Sequence, residues 1–306
     1  MSSLLEACQV SFTYPQDGHG LQPVSLTIDA GEAALVSGPS GCGKSTLARC
    51  LAGLIPHLYR GQFGGVVRIA GENSAELALW RLAEQVGMVF QNPAAQMLAS
   101  TVEDEILFGL ENLGVKREEM DRRLNAALER FGLGEMRQRS PQTLSGGEQQ
   151  KLALAAITAR RPAALVLDEP LSMLDTTAAL EFVAHTQELQ GEGCAAVYCE
   201  HRQEYLHSLP GLQHIALGEG QSIHDAHFEV PPWPLPGAEA LSMQMSALNV
   251  PRGGRAVIQD LNLNLSGGKI TALVGRKGAG KTTLFRALSG LQPYTGSIEV
   301  QAGATV

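Results

Sequence analysis

The sequence lacks the features that would direct a chain into a membrane, along a secretory route or onto nucleic acid. Its 306 residues include no run of 18 or more apolar residues, so we expect no bilayer-spanning helix. The first residues show no basic segment followed by a long apolar one, which predicts no secretory signal. The net charge is −8 and no long basic run is present, so we expect no nucleic-acid partner, because phosphates bind cationic side chains.

Cysteine is also scarce, with five residues at irregular spacings. An odd, irregular set predicts reduced thiols in a cytosolic protein and argues against a disulfide framework or a zinc site. The hydrophobic content of 44% and the charged content of 18% are typical of a globular protein. The length allows one large domain or two ordinary ones.

Two glycine-rich loops share the phosphate-binding pattern Gly-x-x-x-x-Gly-Lys-Ser/Thr. In such a loop the backbone N–H groups and the N-terminus of the following helix face a polyphosphate, a Lys reaches the terminal phosphates and a hydroxyl binds Mg²⁺. The residues predicted to contact nucleotide in the first loop are Gly38, Pro39, Ser40, Gly41, Cys42, Gly43, Lys44, Ser45 and Thr46. In the second loop they are Gly275, Gly280, Lys281 and Thr282.

The two loops belong to an internal repeat, since residues 26–54 match 263–291 at a constant spacing of 237 residues. In each copy the sequence predicts a strand of alternating apolar and polar residues, a second strand, the phosphate loop and a helix. The second strand is predicted at residues 33–36 in the first copy and at 270–274 in the second. We therefore predict a complete first domain over residues 1–228, a stiff proline-rich linker over 229–240 and a partial second domain over 241–306. A disrupted gene or a shortened chain is a simpler expectation for the second copy than a deliberately short domain.

Downstream of the first loop, a short apolar run ends in two acids, Asp168 and Glu169. A run without alternation predicts a strand buried on both faces of a parallel sheet, and ligands of such sheets bind at the carboxyl ends of the strands. Because neighbouring side chains diverge, we assign Asp168 to the metal and Glu169 to the attacking water as general base. A third element, Ser145-Gly146-Gly147-Glu148, predicts a capped helix whose two glycines permit close approach to an anion.

These elements, in this order, resemble the nucleotide-binding domain of ATP-binding-cassette (ABC) proteins, in which Ser145-Gly146-Gly147 matches the signature motif. The resemblance implies an α/β fold of the P-loop NTPase class and ABC ATPase type, with a mixed sheet core and a helical subdomain, followed by an N-terminal fragment of a second copy. It also implies ATP and Mg²⁺ as cofactors. Two positions depart from the family pattern, which commonly has Gln at Glu148 and frequently Thr at Glu200.

Further site residues follow from the resemblance alone. Tyr14 resembles the aromatic residue that stacks on adenine, and Asp175 lies in the segment that resembles the D-loop. Gln91 resembles the lid glutamine, which implies that it contacts the metal ion and takes part in catalysis. His201 resembles the switch histidine that contacts the γ-phosphate. The implied catalytic set is Lys44, Gln91, Glu169 and His201, and the implied metal set is Ser45, Gln91 and Asp168.

The family mechanism implies a partner, because the signature helix of a second ABC domain completes each ATP site. That domain would belong to a second copy of this chain or to a paralogous subunit. The second copy within the chain has no signature motif, so we expect it to bind phosphates at most and not to hydrolyse ATP alone.

Transport is the favoured function, with a separate transmembrane subunit and a cytoplasmic location on the inner face of the membrane. The stretch Gln91-Asn92-Pro93-Ala94-Ala95-Gln96 resembles that of energy-coupling-factor and cobalt-type importers of vitamins or metal ions, and residues 91–131 would contact the membrane subunit. The alternative is a soluble tandem ABC ATPase of translation or DNA repair. Translation factors of that kind carry a long basic interdomain helix, and repair ATPases a coiled coil or zinc-binding cysteines.

Overall fold

The computed structural model describes residues 3–16, 18–218, 242–252, 255–266, 271–275 and 279–300. Its backbone divides into two units, Met1–Ser222 and Ile223–Val306. The predicted linker at 229–240 and residues 276–278 of the second loop lie outside the described residues. No helix among the described residues is long and apolar enough to cross a membrane.

Unit 1 contains two sheets, one parallel and one antiparallel. The described strands are β1 (Leu5–Thr13), β2 (Gly20–Ile28), β3 (Ala33–Ser37), β4 (Gln62–Ile69), β5 (Glu72–Asn73), β6 (Val86–Val89), β7 (Ala164–Asp168), β8 (Ala195–Cys199) and β9 (Gln213–Ala216). Strands β6-β7-β8-β3-β9 form the parallel sheet, and β2-β1-β4-β5 form the antiparallel one. The mixed core that the sequence predicts is therefore distributed over two separate sheets.

The α-helices of unit 1 lie between β3 and β6, between β6 and β7 and between β7 and β8, whereas no α-helix lies among the described residues between β8 and β9. The described α-helices are α1 (Lys44–Leu51), α2 (Leu54–His57), α3 (Leu79–Gln85), α4 (Val102–Asn112), α5 (Arg117–Arg130), α6 (Gly146–Thr158) and α7 (Thr176–Gly191). Helices α4 and α5 form the predicted helical subdomain. The apolar face of α5, with Met120, Leu124 and Leu128, is buried there together with Phe131, as the helical spacing predicts.

The central strands separate two hydrophobic cores. All five residues of β7 are buried, and successive side chains point to opposite faces of the sheet. Leu165 and Leu167 join the core formed with α4 to α7, whereas Val166 joins the core formed with α1 and the antiparallel sheet. A strand covered on both faces needs apolar residues at consecutive positions, which explains the uninterrupted run in the sequence. Its first polar side chain, that of Asp168, follows at the carboxyl end.

Unit 2 repeats only part of this arrangement. Its described elements are β10 (Ser242–Arg252), β11 (Arg255–Ser266), α8 (Lys281–Leu288) and β12 (Thr295–Val300). The strands form an antiparallel sheet of order β11-β10-β12, and α8 lies 237 residues after α1, as the repeat predicts.

One predicted strand of unit 2 is not formed. Residues 271–274 have no strand assignment and are exposed, so the prediction of a strand at 270–274 is wrong for its described part. In unit 1 the corresponding β3 pairs with β8 and β9 along both of its edges, and its apolar side chains are buried in the cores on the two faces of the sheet. The described residues of unit 2 supply no such parallel neighbours, and an unpaired apolar segment cannot satisfy its backbone as a strand.

Candidate functional site

The first phosphate loop leaves β3 at the middle of the parallel sheet and enters α1. Gly43 lies at the start of the helix with φ of 103°, in the left-handed region that glycine adopts readily. At Gly38 a Cβ atom would lie 2.4 Å from the carbonyl oxygen of Leu217, so this position cannot hold a larger residue without movement. Backbone curvature at these two positions turns the loop so that the first N–H groups of α1 are left for an anion.

Lys44 lies within this loop and not in the solvent. Its residue exposure is 5%, and its Nζ donates to the carbonyl oxygens of Gly38 and Pro39 at 2.8 and 3.0 Å. A cavity of about 900 Å³ adjoins the loop and is lined by residues 18–24, 39–42 and 216–218. This volume lies within the range of cofactor sites, and residues 18–24 are a wall that the sequence did not reveal.

Ser45 and Asp168 meet across the space between α1 and β7. The Ser45 hydroxyl donates to Asp168 Oδ1 over 2.9 Å. Two oxygens bound side by side to an octahedral Mg²⁺ at about 2.1 Å lie about 3 Å apart, so this pair fits one magnesium shell in both donor type and spacing. The pKa of the Asp168 carboxyl is raised above its usual value, mainly because the group is buried. The hydrogen bond from Ser45 is the strongest effect in the opposite direction.

Glu169 is held between two polar side chains from neighbouring strand ends. Gln91, after β6, donates from Nε2 to Glu169 Oε2 at 2.6 Å. Nε2 of His201, after β8, lies 3.5 Å from Glu169 Oε1. Glu169 itself has φ of 47°, a left-handed conformation that directs its side chain differently from Asp168. The structure thus brings together three residues separated by up to 110 positions in the sequence.

The signature segment begins α6 as predicted. Ser145 is the N-cap, and the capping box with Glu148 is complete: Glu148 N–H donates to Ser145 Oγ at 3.3 Å and Ser145 N–H to Glu148 Oε2 at 2.6 Å. A Cβ atom at Gly147 would meet only ordinary contacts, the nearest being Ala178 Cβ at 3.6 Å. Packing within the chain therefore does not require glycine at Gly147. A Cβ atom there would face α7, whereas Ser145 at the start of α6 is exposed.

Two other predicted ligands have structural contacts. Asp175 is the N-cap of α7 and accepts the Ala178 N–H at 3.0 Å. The Tyr14 hydroxyl accepts a hydrogen bond from Arg49 at 3.0 Å and lies 3.5 Å from the Thr46 hydroxyl, which fixes the ring beside α1. Stacking of Tyr14 on adenine and nucleotide contact by Asp175 stay predictions, as does the place of Gln91 in the metal shell.

Sequence reasoning noted Glu200 only as a departure from the family pattern and missed Arg202. Both follow β8 directly and bond to the loop that follows β7. The available signal was a pair of charged residues on either side of His201 immediately after a buried strand.

An apolar groove lies next to the segment that follows β6. It encloses about 260 Å³ and is lined by α3, α4 and α6 as well as by Phe90 and Gln96. Phe108 on its wall is 46% exposed. Gln96 fixes the adjoining backbone, because its amide accepts the Phe90 N–H and donates to the Met88 carbonyl.

The described part of the second phosphate loop resembles the first in one contact. Lys281 Nζ donates to the Gly275 carbonyl oxygen at 2.5 Å, as Lys44 does to Gly38. Gly280 starts α8 with φ of 88°, and Thr282 is exposed. The five cysteines are free, and the described residues contain no group of three or more His, Cys, Asp or Glu side chains that could hold a metal ion.

Comparison with known proteins gives a consistent picture. The family model described as ABC transporter matches residues 21–172 and 258–306. A putative ABC transporter ATP-binding protein of Treponema denticola is 36% identical over 94% of this chain and 65% of its own length. The putative HMP/thiamine import ATP-binding protein YkoD of Bacillus subtilis is 34% identical over 96% of this chain and 63% of its own. A putative ABC transporter ATP-binding protein of Pyrococcus abyssi is 42% identical over 67% and 74%.

The chain thus spans somewhat less than two thirds of the lengths of the first two relatives, 65% and 63%. Among solved structures, cbiO1 from Clostridium perfringens, part of the ABC transporter complex cbiONQ, superposes with a TM-score of 0.58. The identity is 24%, over 67% of this chain and 82% of that one. A nucleotide-free ATP-binding cassette from an ABC transporter superposes with a TM-score of 0.59 at 21% identity, over 71% of this chain and 90% of that one. At these identities the structures show the fold alone.

Proposed function

The chain belongs to the ABC transporter family, and on this premise we propose that its first unit binds and hydrolyses ATP with Mg²⁺ to energise a transporter. One observation carries the proposal. Four adjacent strands, β6-β7-β8-β3, end at the same edge of the parallel sheet, and their carboxyl ends bring a phosphate loop, an acidic pair, Gln91 and His201 together.

Each side chain has a role that its contacts support. Lys44, held inside the loop, would neutralise the terminal phosphates, and Ser45 with Asp168 would hold Mg²⁺, which offsets the charge of the transferred phosphoryl group. Glu169 would accept the proton of the attacking water. Gln91 holds that carboxylate in place through its 2.6 Å hydrogen bond, and His201 lies beside it to contact the γ-phosphate.

The active form would pair this unit with a second ABC domain, from another copy of the chain or from a paralogous subunit. The signature helix supports this, because helix N-termini bind anions and Ser145, at the start of α6, is exposed. The partner's ATP would lie against Ser145 and Gly147, while the partner's own signature helix would cover the ATP on Lys44.

We assign the transporter to the energy-coupling-factor type, which imports a vitamin or a metal ion. Two features support this assignment: the segment Gln91–Gln96 resembles that of such importers, and the Bacillus subtilis relative is named for HMP/thiamine import. The chain would then work on the cytoplasmic face of the membrane, attached to a transmembrane subunit.

The groove beside Gln96 is our candidate contact for that subunit. It is largely apolar, although Glu105 and Arg160 also line it, and it carries the exposed Phe108. It adjoins the segment after β6, which begins with Phe90 and with Gln91, the hydrogen-bond partner of Glu169. A cytoplasmic segment of the membrane subunit that fills the groove would touch the backbone next to Gln91, which provides a short path from transport to hydrolysis.

The ATPase assignment is tested by phosphate release from MgATP with the purified chain. We expect saturable hydrolysis that stops on chelation of Mg²⁺, and loss of both ATP binding and hydrolysis in Lys44→Ala. Hydrolysis that continues unchanged in Lys44→Ala would contradict the assignment of the site.

The membrane partner is tested by co-expression with the transmembrane subunit of an energy-coupling-factor importer and by co-purification in detergent. We expect Phe108→Asp to prevent co-purification, whereas Leu180→Asp, the same change at a 53% exposed leucine on α7, should not. Co-sedimentation with ribosomes, and none with the membrane subunit, would favour the soluble alternative.

A further inference from the structure

Two charged side chains flank His201 and reach the neighbouring loop. That loop follows β7, begins at Glu169 and ends at Asp175, the N-cap of α7. Strands β7 and β8 are adjacent and parallel, so Asp168 pairs with Cys199, and Glu169 N–H donates to the Cys199 carbonyl oxygen at 2.8 Å. Beyond this bond the hydrogen-bond ladder between β7 and β8 ends. The loop after β7 and the loop after β8 are then joined through side chains.

Glu200 provides the first connection. Its residue exposure is 1%, and three backbone N–H groups surround its carboxylate. Oε1 accepts from His201 and Arg202 at 2.8 and 3.0 Å, within its own loop. Oε2 accepts from Leu171 at 2.9 Å, in the loop after β7. Hydrogen bonds to a charged acceptor are stronger than neutral ones, and burial makes their loss costly.

Arg202 provides the second connection. A single guanidinium nitrogen, NH1, donates to the carbonyl oxygens of Leu171 and Leu174, both at 2.7 Å. The other terminal nitrogen, NH2, donates to the Tyr205 hydroxyl at 2.7 Å, and the guanidinium carbon lies 4.5 Å from the centre of the Tyr205 ring. Leu171 thus has its N–H held by Glu200 and its carbonyl held by Arg202.

We propose that Glu200 and Arg202 are positioning residues that fix His201 relative to Glu169 and keep the loop at 169–175 in the conformation that hydrolysis requires. The inference rests on the proposed ATPase function and adds two residues to it. His201 Nε2 and Glu169 Oε1 are 3.5 Å apart, and the last ladder bond, from Glu169 N–H to the Cys199 carbonyl oxygen, lies two residues before His201. Since misplacement of a catalytic group by about 1 Å can lower a rate about a hundredfold, the cross-loop bonds act on turnover and not on ATP affinity.

Two substitutions separate this role from general stabilisation. In Glu200→Gln the carboxamide keeps one acceptor oxygen, which can retain the bonds to His201 and Arg202, while its NH2 group cannot accept from Leu171. Arg202→Met keeps the aliphatic stem and removes every donor. Arg202→Lys is the conservative rescue, because both carbonyls are bound by one nitrogen and an ammonium can donate to both.

Matched controls come from an ion pair of the antiparallel sheet. Glu6 on β1 and Arg68 on β4 lie 3.4 Å apart at the surface, so Glu6→Gln and Arg68→Met repeat the two chemical changes away from the site. All variants are compared in the full chain by steady-state phosphate release, by ATP binding and by thermal unfolding.

We expect kcat to fall about tenfold or more in Glu200→Gln and Arg202→Met, with the KM for ATP and the ATP dissociation constant within about threefold of wild type. Arg202→Lys should recover kcat to within about threefold, and both controls should retain it. Unchanged kcat in both site variants, or an equal loss of ATP binding and kcat, would overturn the proposal.

A second measurement does not depend on turnover. Hydrogen–deuterium exchange in peptides covering residues 169–175 should become faster in Glu200→Gln and Arg202→Met and stay unchanged in the controls, since Leu171 N–H loses its acceptor or its loop loses its anchors. Unchanged exchange would overturn the proposal even if kcat fell. A wild-type chain that hydrolyses no ATP would instead contradict the proposed function, and the exchange data would still show whether the two side chains hold the loop.

Discussion

Substitution of Glu169 by Gln removes the group that would accept the proton of the attacking water and leaves the other contacts of the site in place. The amide has the shape of the carboxyl group, and its oxygen can still accept the Gln91 N–H that now reaches Glu169 at 2.6 Å. The left-handed backbone at this position, with φ of 47°, costs Gln about as much as Glu, because neither side chain is branched at Cβ. The fold, the phosphate loop and the Ser45–Asp168 pair should therefore remain as they are.

The expected effect is that of a lost general base. Such groups contribute about 10² to 10⁴ in rate, or about 2.7 to 5.4 kcal/mol of activation free energy. Because Glu169 is the carboxylate held between Gln91 and His201, we expect a loss of about 10³ in kcat, with the ATP dissociation constant within about threefold of wild type.

The assay combines phosphate release at saturating ATP, equilibrium ATP binding and size-exclusion chromatography with and without MgATP. Since bound ATP persists in Glu169→Gln, the variant should also accumulate as an ATP-dependent dimer. Glu181→Gln, the same change at a half-exposed ion pair with Lys151, serves as control and should turn over normally. A Glu169→Gln protein that binds ATP and hydrolyses it within about tenfold of wild type would refute the assignment of the base.

Three further predictions follow from the same contacts. Asp168→Asn should abolish Mg²⁺-dependent hydrolysis without lowering the melting temperature of the metal-free protein. An acid whose pKa is raised on folding opposes folding once the pH exceeds its unfolded pKa, and Asn removes that charge. A large drop in melting temperature would contradict this. Lys281→Ala should lower hydrolysis far less than Lys44→Ala, because the described residues of unit 2 form no parallel sheet whose strand ends would bring acids to the second loop. Equal losses in a phosphate-release assay would count against this. Burial raises the pKa of the Cys50 thiol to about 12, so at pH 8 it should react with a thiol reagent only after unfolding; rapid reaction of Cys50 in the native protein would disprove its burial.

The elements with strong local signals were predictable from the sequence. The phosphate loop, the buried strand before Asp168 and the Ser145–Glu148 capping box each depend on residues that are close in sequence, and the structure shows all three. The resemblance also assigned Gln91, Glu169 and His201 to one catalytic set, and the structure places the three side chains next to one another.

Features that depend on distant backbone groups were not predictable. The partners of Glu200 and Arg202 are N–H and C=O groups of Leu171 and Leu174, which leave no side-chain pattern in the sequence. The division into parallel and antiparallel sheets follows from strand pairing over long separations. Residues 271–274 have the apolar composition of a strand, but strand formation also requires neighbours, and the described part of unit 2 provides none on either side.

The most direct test of the account measures ATPase activity per mole of chain as a function of protein concentration, with the association state followed by analytical ultracentrifugation. If each ATP must be covered by the signature helix of a facing domain, specific activity should rise with concentration and approach a plateau as dimers form. Constant specific activity in a solution shown to contain only monomers would contradict the central claim.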